Sequence, residues 1–145
     1  MEKKSTKPNS HHFFNIKNKS IFTHVKLNIY PDGGVARIRI YGNMKINKQF
    51  SKKIINLTSV LNGASPIACN NEHFGRAENI LAPGVGKNMG DGWETRRSRG
   101  KNFDWLILKC ATAGKINKIQ IDTHHFRGNY PDKCSLQAAY LNGKI

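Results

Sequence analysis

Long apolar runs are missing from this 145-residue sequence. No window approaches the 18 or more consecutive apolar residues that a membrane-spanning helix requires. The basic start, Met1-Glu2-Lys3-Lys4-Ser5-Thr6-Lys7-Pro8, has no apolar stretch behind it, so a secretory leader is not expected and a cytoplasmic setting is. Cysteine is scarce. Cys69, Cys110 and Cys134 are odd in number, widely spread and without a Cys-x-x-Cys, which argues against a disulfide framework or a zinc knuckle. Free thiols, buried or half-buried, are the expectation. Signature motifs are missing too: Pro83-Gly84-Val85-Gly86-Lys87-Asn88 lacks the first glycine and the Ser/Thr of a phosphate loop, and neither His-Glu-x-x-His nor Gly-x-Ser-x-Gly occurs.

Acidic side chains are also few, 9 against 24 Lys+Arg, for a net charge of +15. The excess is unevenly placed. Residues 1–65 carry 12 basic and 2 acidic side chains, whereas residues 66–132 carry 10 and 7. Aromatic residues do not interleave with the N-terminal lysines as a stacking platform requires, so nucleic acid is not an expected partner. Arginine behaves differently from lysine: all seven arginines lie between Arg37 and Arg127, beside glycines, aromatics and acids, where bidentate recognition of an anion is a natural use. The hydrophobic fraction of 38% with ordinary aromatic content indicates a globular domain, and a chain of this length buries roughly two thirds of its unfolded surface.

Val25, Leu27 and Ile29 alternate with Lys26 and Asn28, and Ala36, Ile38 and Ile40 alternate with Arg37 and Arg39. With Pro31-Asp32-Gly33-Gly34 between them, these runs predict a β-hairpin. Residues 1–21 are polar and read as a partly flexible segment, residues 43–53 as a Lys/Asn linker, and residues 54–61 as one or two helical turns ended by Asn62-Gly63. Glycine and proline leave residues 66–104 irregular. Residues 105–109, 116–121 and 134–140 are three further strand candidates. Short strands between glycine-rich loops predict an all-β jelly-roll sandwich.

Three polar clusters stand out: Asn70-Asn71-Glu72-His73-Phe74-Gly75; Asn88-Met89-Gly90-Asp91-Gly92-Trp93-Glu94-Thr95-Arg96-Arg97; and residues 122–132, beginning Asp122-Thr123-His124-His125 and ending Asn129-Tyr130-Pro131-Asp132. Acids grouped with arginine and histidine in loops suggest a polar pocket. Each cluster also has a plainer use. Asp91-Gly92 serves equally well as a turn, Glu94 and Arg96 as an exposed ion pair, Trp93 as a core anchor and Asp122 as a turn cap.

The run from Phe22 to Gly42, with Thr23-His24-Val25-Lys26-Leu27-Asn28-Ile29-Tyr30-Pro31-Asp32-Gly33-Gly34 at its centre, closely resembles the segment that ends a repeat in the allantoicase family. The runs Cys69 to Gly75, Gly86 to Arg97 and Asp122 to Ala138 resemble the start and middle of the repeat that follows. The family is built from two homologous galactose-binding-like jelly-roll repeats in a chain more than twice this long. The resemblance therefore implies a central slice: residues 22–42 as the terminal hairpin of the first repeat, with His24, Asn28, Asp32, Gly33 and Gly34 as its structural motif, and residues 54–145 as the N-terminal and central part of the second. An incomplete or circularly permuted sandwich would result.

The family's reaction is the hydrolysis of allantoate to ureidoglycolate and urea, a step of purine (ureide) catabolism. Allantoate carries one carboxylate and two urea-like arms on a single carbon, so the resemblance implies a cation, hydrogen-bond partners for the arms and acid–base groups. Glu72, His73, Asp91, Glu94, Asp122 and His125 are the candidate catalytic residues, and Trp93, Arg96, Arg97 and Asn129 the candidate substrate-binding ones. A divalent metal is compatible with these side chains, but their spacing specifies none. A complementary chain or a second copy is a compatible partner. The competing possibility is a non-catalytic β-sandwich module that keeps the ligand pocket.

Overall fold

The structure, a computed structural model, describes residues 1–44, 54–98, 100 and 102–141. Ten strands form along it: β1 (Lys4–Ser5), β2 (His11–Asn15), β3 (Ile21–Tyr30), β4 (Gly34–Val35), β5 (Arg37–Met44), β6 (Ile54–Asn56), β7 (Ser65–Cys69), β8 (Trp93–Glu94), β9 (Asp104–Asp122) and β10 (Lys133–Ala139). Three short 3-10 turns, Val60–Asn62, Ala77–Leu81 and Met89–Asp91, punctuate the loops. The fold is all-β and antiparallel, as the alternating sequence predicts.

The 19-residue β9 organises the molecule. Its first half lies between β3 and β7, and its second half between β5 and β2. Strands β10 and β1 extend the β3 side, and β6 extends the β5 side. Side chains from both halves share one core: Val25, Leu27 and Ile29 of β3, Ile38 and Ile40 of β5, and Leu106, Leu108, Ile119 and Ile121 of β9 are all buried. Within β9 the buried positions are even-numbered up to Ile116 and include Ile119 and Ile121 afterwards. The switch of phase falls where the register against β5 jumps from Tyr41↔Lys118 to Gly42↔Ile116, so one extra residue keeps apolar side chains on the core face.

Several sequence expectations need correction. Strands β3 and β5 form as predicted but do not pair as a hairpin, because β9 sits between them. The candidates 105–109 and 116–121 are one continuous strand. The N-terminal segment carries β1 and β2, paired with β10 and β9, and Phe14 and Ile16 pack on the core. Residues 54–56 are strand rather than helix, although Val60–Asn62 does turn and ends at left-handed Gly63. Most of the expected linker, residues 45–53, lies outside the described residues. The expectation of free thiols holds: all three are unpaired, with Cys110 and Cys134 buried.

Candidate active site

The turn at residues 31–34 is held on three sides. Asp32 Oδ2 accepts the Ser98 N–H at 2.5 Å, the Gly33 N–H donates to Thr95 Oγ1 at 3.1 Å, and the Gly34 N–H donates to the Asn129 carbonyl at 2.7 Å. Thr95 is buried, and its own N–H reaches back to the Gly33 carbonyl at 3.2 Å. Glycine is required at position 33: its φ is +130°, and a Cβ there would lie 2.7 Å from the Asn129 carbonyl oxygen and 2.8 Å from Pro131 N. This close approach brings the 31–34 turn, residues 94–98 and residues 128–132 around one cleft.

The cleft encloses about 490 Å³ and is lined by Asp32, Gly33, Phe74, Glu94, Thr95, Arg97, Ser98, Asn129, Tyr130 and Asp132, among others. Glu94 is placed by β8, which pairs with β4 and bridges to Gly75. Trp93, next in that strand, points the other way and is fully buried, with its indole N–H on the Asn71 carbonyl at 2.8 Å. It is therefore a core anchor rather than a substrate contact. One oxygen of Glu94 accepts a hydrogen bond from the Asn129 side-chain amide. Arg97 is exposed on the cleft wall. Among the described residues, Asp32, Glu94 and Asp132 line this cleft beside Arg97.

Of the candidate residues, Asp32, Gly33, Glu94, Arg97 and Asn129 meet in this cleft. His73 and Arg96 stand close by: Arg96 Nη2 lies 3.3 Å from His73 Nδ1, and the His73 ring packs edge-on against Phe74. A guanidinium only donates, so Nδ1 is the unprotonated nitrogen of that ring. Glu72 points elsewhere, accepting the Ala77 N–H at 2.9 Å at the start of a 3-10 turn.

Of the remaining candidates, Asp91 and His125 hold the glycine-rich loop at 83–91, and Asp122 lies in β9 opposite Arg37. Asp122 is fully buried, accepts the His124 N–H at 2.8 Å and lies 2.9 Å from His11 Nε2. Its cross-strand neighbour Arg37 is buried and donates to the carbonyls of Ala36 and Asp91. Burial lowers the pKa of that guanidinium. The Asp91 carboxylate accepts the Lys87 N–H at 2.6 Å, and this hydrogen bond is the main cause of its lowered pKa. His125 has a left-handed backbone and a ring nitrogen 2.7 Å from the Gly86 carbonyl, so Nε2 carries the proton and is committed to that bond. These contacts fasten the loop to the sheet.

His24 and Asn28 lie on the outer face of β3. His24 lines a largely apolar depression of about 340 Å³ with Ile67, Ile107 and Leu141, and burial lowers its pKa. Asn28 donates to Ser135 Oγ at 3.0 Å. Gly34 packs against Phe126. Among the described residues no group of three His, Cys, Asp or Glu side chains is arranged to hold a metal ion. Sequence reasoning named Thr95, Tyr130 and Asp132 only as members of polar runs; their place on the cleft wall depends on the Gly33 contact, which no local pattern reveals.

Fold and site together define an all-β protein with a polar loop cleft lined by acidic residues and an arginine. The allantoicase family, through its allantoicase repeat, matches residues 1–45 and 55–144, so the chain belongs to the allantoicase family. It is 50% identical over 145 residues to the probable allantoicase of Photobacterium profundum, covering 99% of this chain and 44% of that protein. It is 52% identical over 134 residues to the probable allantoicase of Acinetobacter baylyi (92% and 40%) and 49% identical over 137 residues to probable allantoicase 1 of Burkholderia mallei (93% and 41%). The chain therefore spans well under half the length of these relatives. No solved structure matches it.

Proposed function

We propose that this chain binds allantoate in the cleft between the 31–34 turn and the 128–132 loop, and hydrolyses it to ureidoglycolate and urea. The observation that carries the proposal is the meeting of Arg97 with Asp32, Glu94 and Asp132 in one cavity of about 490 Å³. The substrate has one carboxylate and two arms rich in N–H groups. Arg97 is the cleft's partner for the carboxylate, and the three acidic side chains are acceptors for the arms.

In the reaction the C–N bond joining the central carbon to one arm breaks and a C–O bond to water forms. Glu94 takes the water proton and returns it to the nitrogen of the departing urea, so one carboxylate serves in turn as base and acid. Arg97 anchors the carboxylate on the same carbon and fixes which face the water approaches.

One observation favours binding without turnover: among the described residues no histidine lines the cleft. The two readings separate in an assay of urea release from allantoate by the purified chain, run with and without added Mn²⁺ or Zn²⁺, beside Glu94→Gln and Arg97→Leu. Hydrolysis predicts release that falls on the order of 10²-fold or more in Glu94→Gln. Allantoate binding with no urea release under any condition would establish the binding module instead.

A further inference from the structure

The sequence places Asn129 among the substrate contacts, but its side-chain amide is already engaged within the protein. We propose that Asn129 is a positioning residue that orients the Glu94 carboxylate in the cleft. The inference rests on the assignment of Glu94 to proton transfer given above.

Asn129 Nδ2 donates to Glu94 Oε1 and also lies 3.7 Å from Met89 Sδ. Glu94 is half-buried, and among the described residues no other hydrogen bond reaches its side chain. With Oε1 held by a neutral amide, Oε2 is the oxygen left for water or substrate. A neutral donor holds the carboxylate in place without neutralising it, unlike the guanidinium of Arg97 on the same wall.

The amide is itself held from behind. The Asn129 carbonyl accepts the Gly34 N–H at 2.7 Å, Gly34 pairs with Glu94 across β4 and β8, and Gly33 touches the backbone of residues 129–131 closely enough to exclude a Cβ. The turn thus grips both partners of the Asn129–Glu94 hydrogen bond, one through the strand ladder and the other through its carbonyl. The role of Gly33 and Gly34 in the motif is to set the distance between them.

Two variants of the full chain test this. Asn129→Ala removes the amide, and Asn129→Asp keeps its shape while replacing the donor with an oxygen. Both retain the backbone carbonyl that accepts from Gly34, and unchanged thermal melting confirms that the loop is intact. Both should lose on the order of 10²-fold in kcat with KM changed less than about threefold, as expected for a misplaced reacting group. A rise in KM with kcat preserved, or full kcat in Asn129→Asp, would overturn the proposal.

A second readout does not depend on turnover. The side-chain NH₂ signals of Asn129 in a ¹H–¹⁵N spectrum should move and exchange faster with water in Glu94→Ala, and signals that stay in place would overturn the positioning role. If the unmodified chain released no urea, the hydrolytic assignment would fall while this spectrum still judged the Asn129–Glu94 contact.

Discussion

Replacing Gly33 with alanine should destabilise the fold at the cleft, and the cost can be worked out. Gly33 has φ +130°, which L side chains rarely adopt, and the added Cβ would meet the Asn129 carbonyl oxygen at 2.7 Å, Pro131 N at 2.8 Å and Tyr130 C at 2.8 Å. All three atoms are backbone and cannot rotate away. Overpacking costs about 1–3 kcal/mol and a disfavoured backbone region about 1–3 kcal/mol, so Gly33→Ala should destabilise by about 2–6 kcal/mol. Two controls separate the parts. Gly84 has φ +70° with nothing within 4 Å of a Cβ, so Gly84→Ala carries only the backbone strain, about 1–2 kcal/mol. Gly128 has ordinary φ and open space, so Gly128→Ala should be neutral or stabilise by about 0.4–1 kcal/mol. In urea denaturation, with m roughly 2 kcal/mol/M for each variant, Gly33→Ala should shift the midpoint down by about 1–3 M. A Gly33→Ala midpoint equal to that of Gly84→Ala would refute the close contact between the turn and the 129–131 backbone.

Burial pushes the Cys110 and Cys134 thiols up to about 12, and burial followed by the nearby Glu72 raises that of Cys69. At pH 8 a thiol with that pKa is about one part in ten thousand thiolate, so Cys110 and Cys134 should resist a thiol-reactive dye in the folded chain and label fully in denaturant. Burial also lowers the pKa of His12 and His24 from 6.5. Below pH 6.5 the unfolded chain then binds more protons than the folded one, so the stability these imidazoles contribute is complete above that pH and lost as the pH falls through it. The melting temperature should drop between pH 7.5 and 5, and His24→Gln should flatten that drop; an unchanged slope would remove His24 from the account.

Strand positions were legible where one face is buried and the other is wet, because period-2 alternation records that difference directly. The alternating runs Val25 to Ile29 and Ala36 to Ile40 locate β3 and the start of β5, while the ends of both strands extend beyond them. Their partners are not legible in this way, since the insertion of β9 between them is a long-range pairing with no local signature. Strand β2 was hidden by its composition: His11-His12-Phe13-Phe14-Asn15 shows no alternation of polar and apolar side chains, and Phe14 with the following Ile16 packs on the core. Strand β9 was read as two because Ala111-Thr112-Ala113-Gly114 lacks large apolar side chains and the bulge beyond it changes the phase. Motif membership singled out Glu94, Arg97 and Asn129, which line one cleft, together with Asp91, Asp122 and His125, which do not line it, and only the three-dimensional arrangement separates the two sets. The latter three residues lie equally close to glycines and aromatics in sequence, yet Asp91 and His125 hold the 83–91 loop and Asp122 is buried in the sheet against His11. Residues 66–132 carry a net charge of +3. Among the described residues the cleft is lined by Asp32, Glu94 and Asp132 beside Arg97, with Asp32 arriving from outside that stretch.

The central claim is that allantoate sits between the 31–34 turn and the 128–132 loop. A ¹H–¹⁵N correlation spectrum of the full chain titrated with allantoate tests it most directly. The amides of Gly33, Glu94, Thr95, Arg97 and Tyr130 should shift together along one saturable isotherm, and Arg97→Leu should weaken that isotherm at least tenfold. Shifts confined to the outer face around His24 and Ile107, or no saturable shift at all, would contradict it.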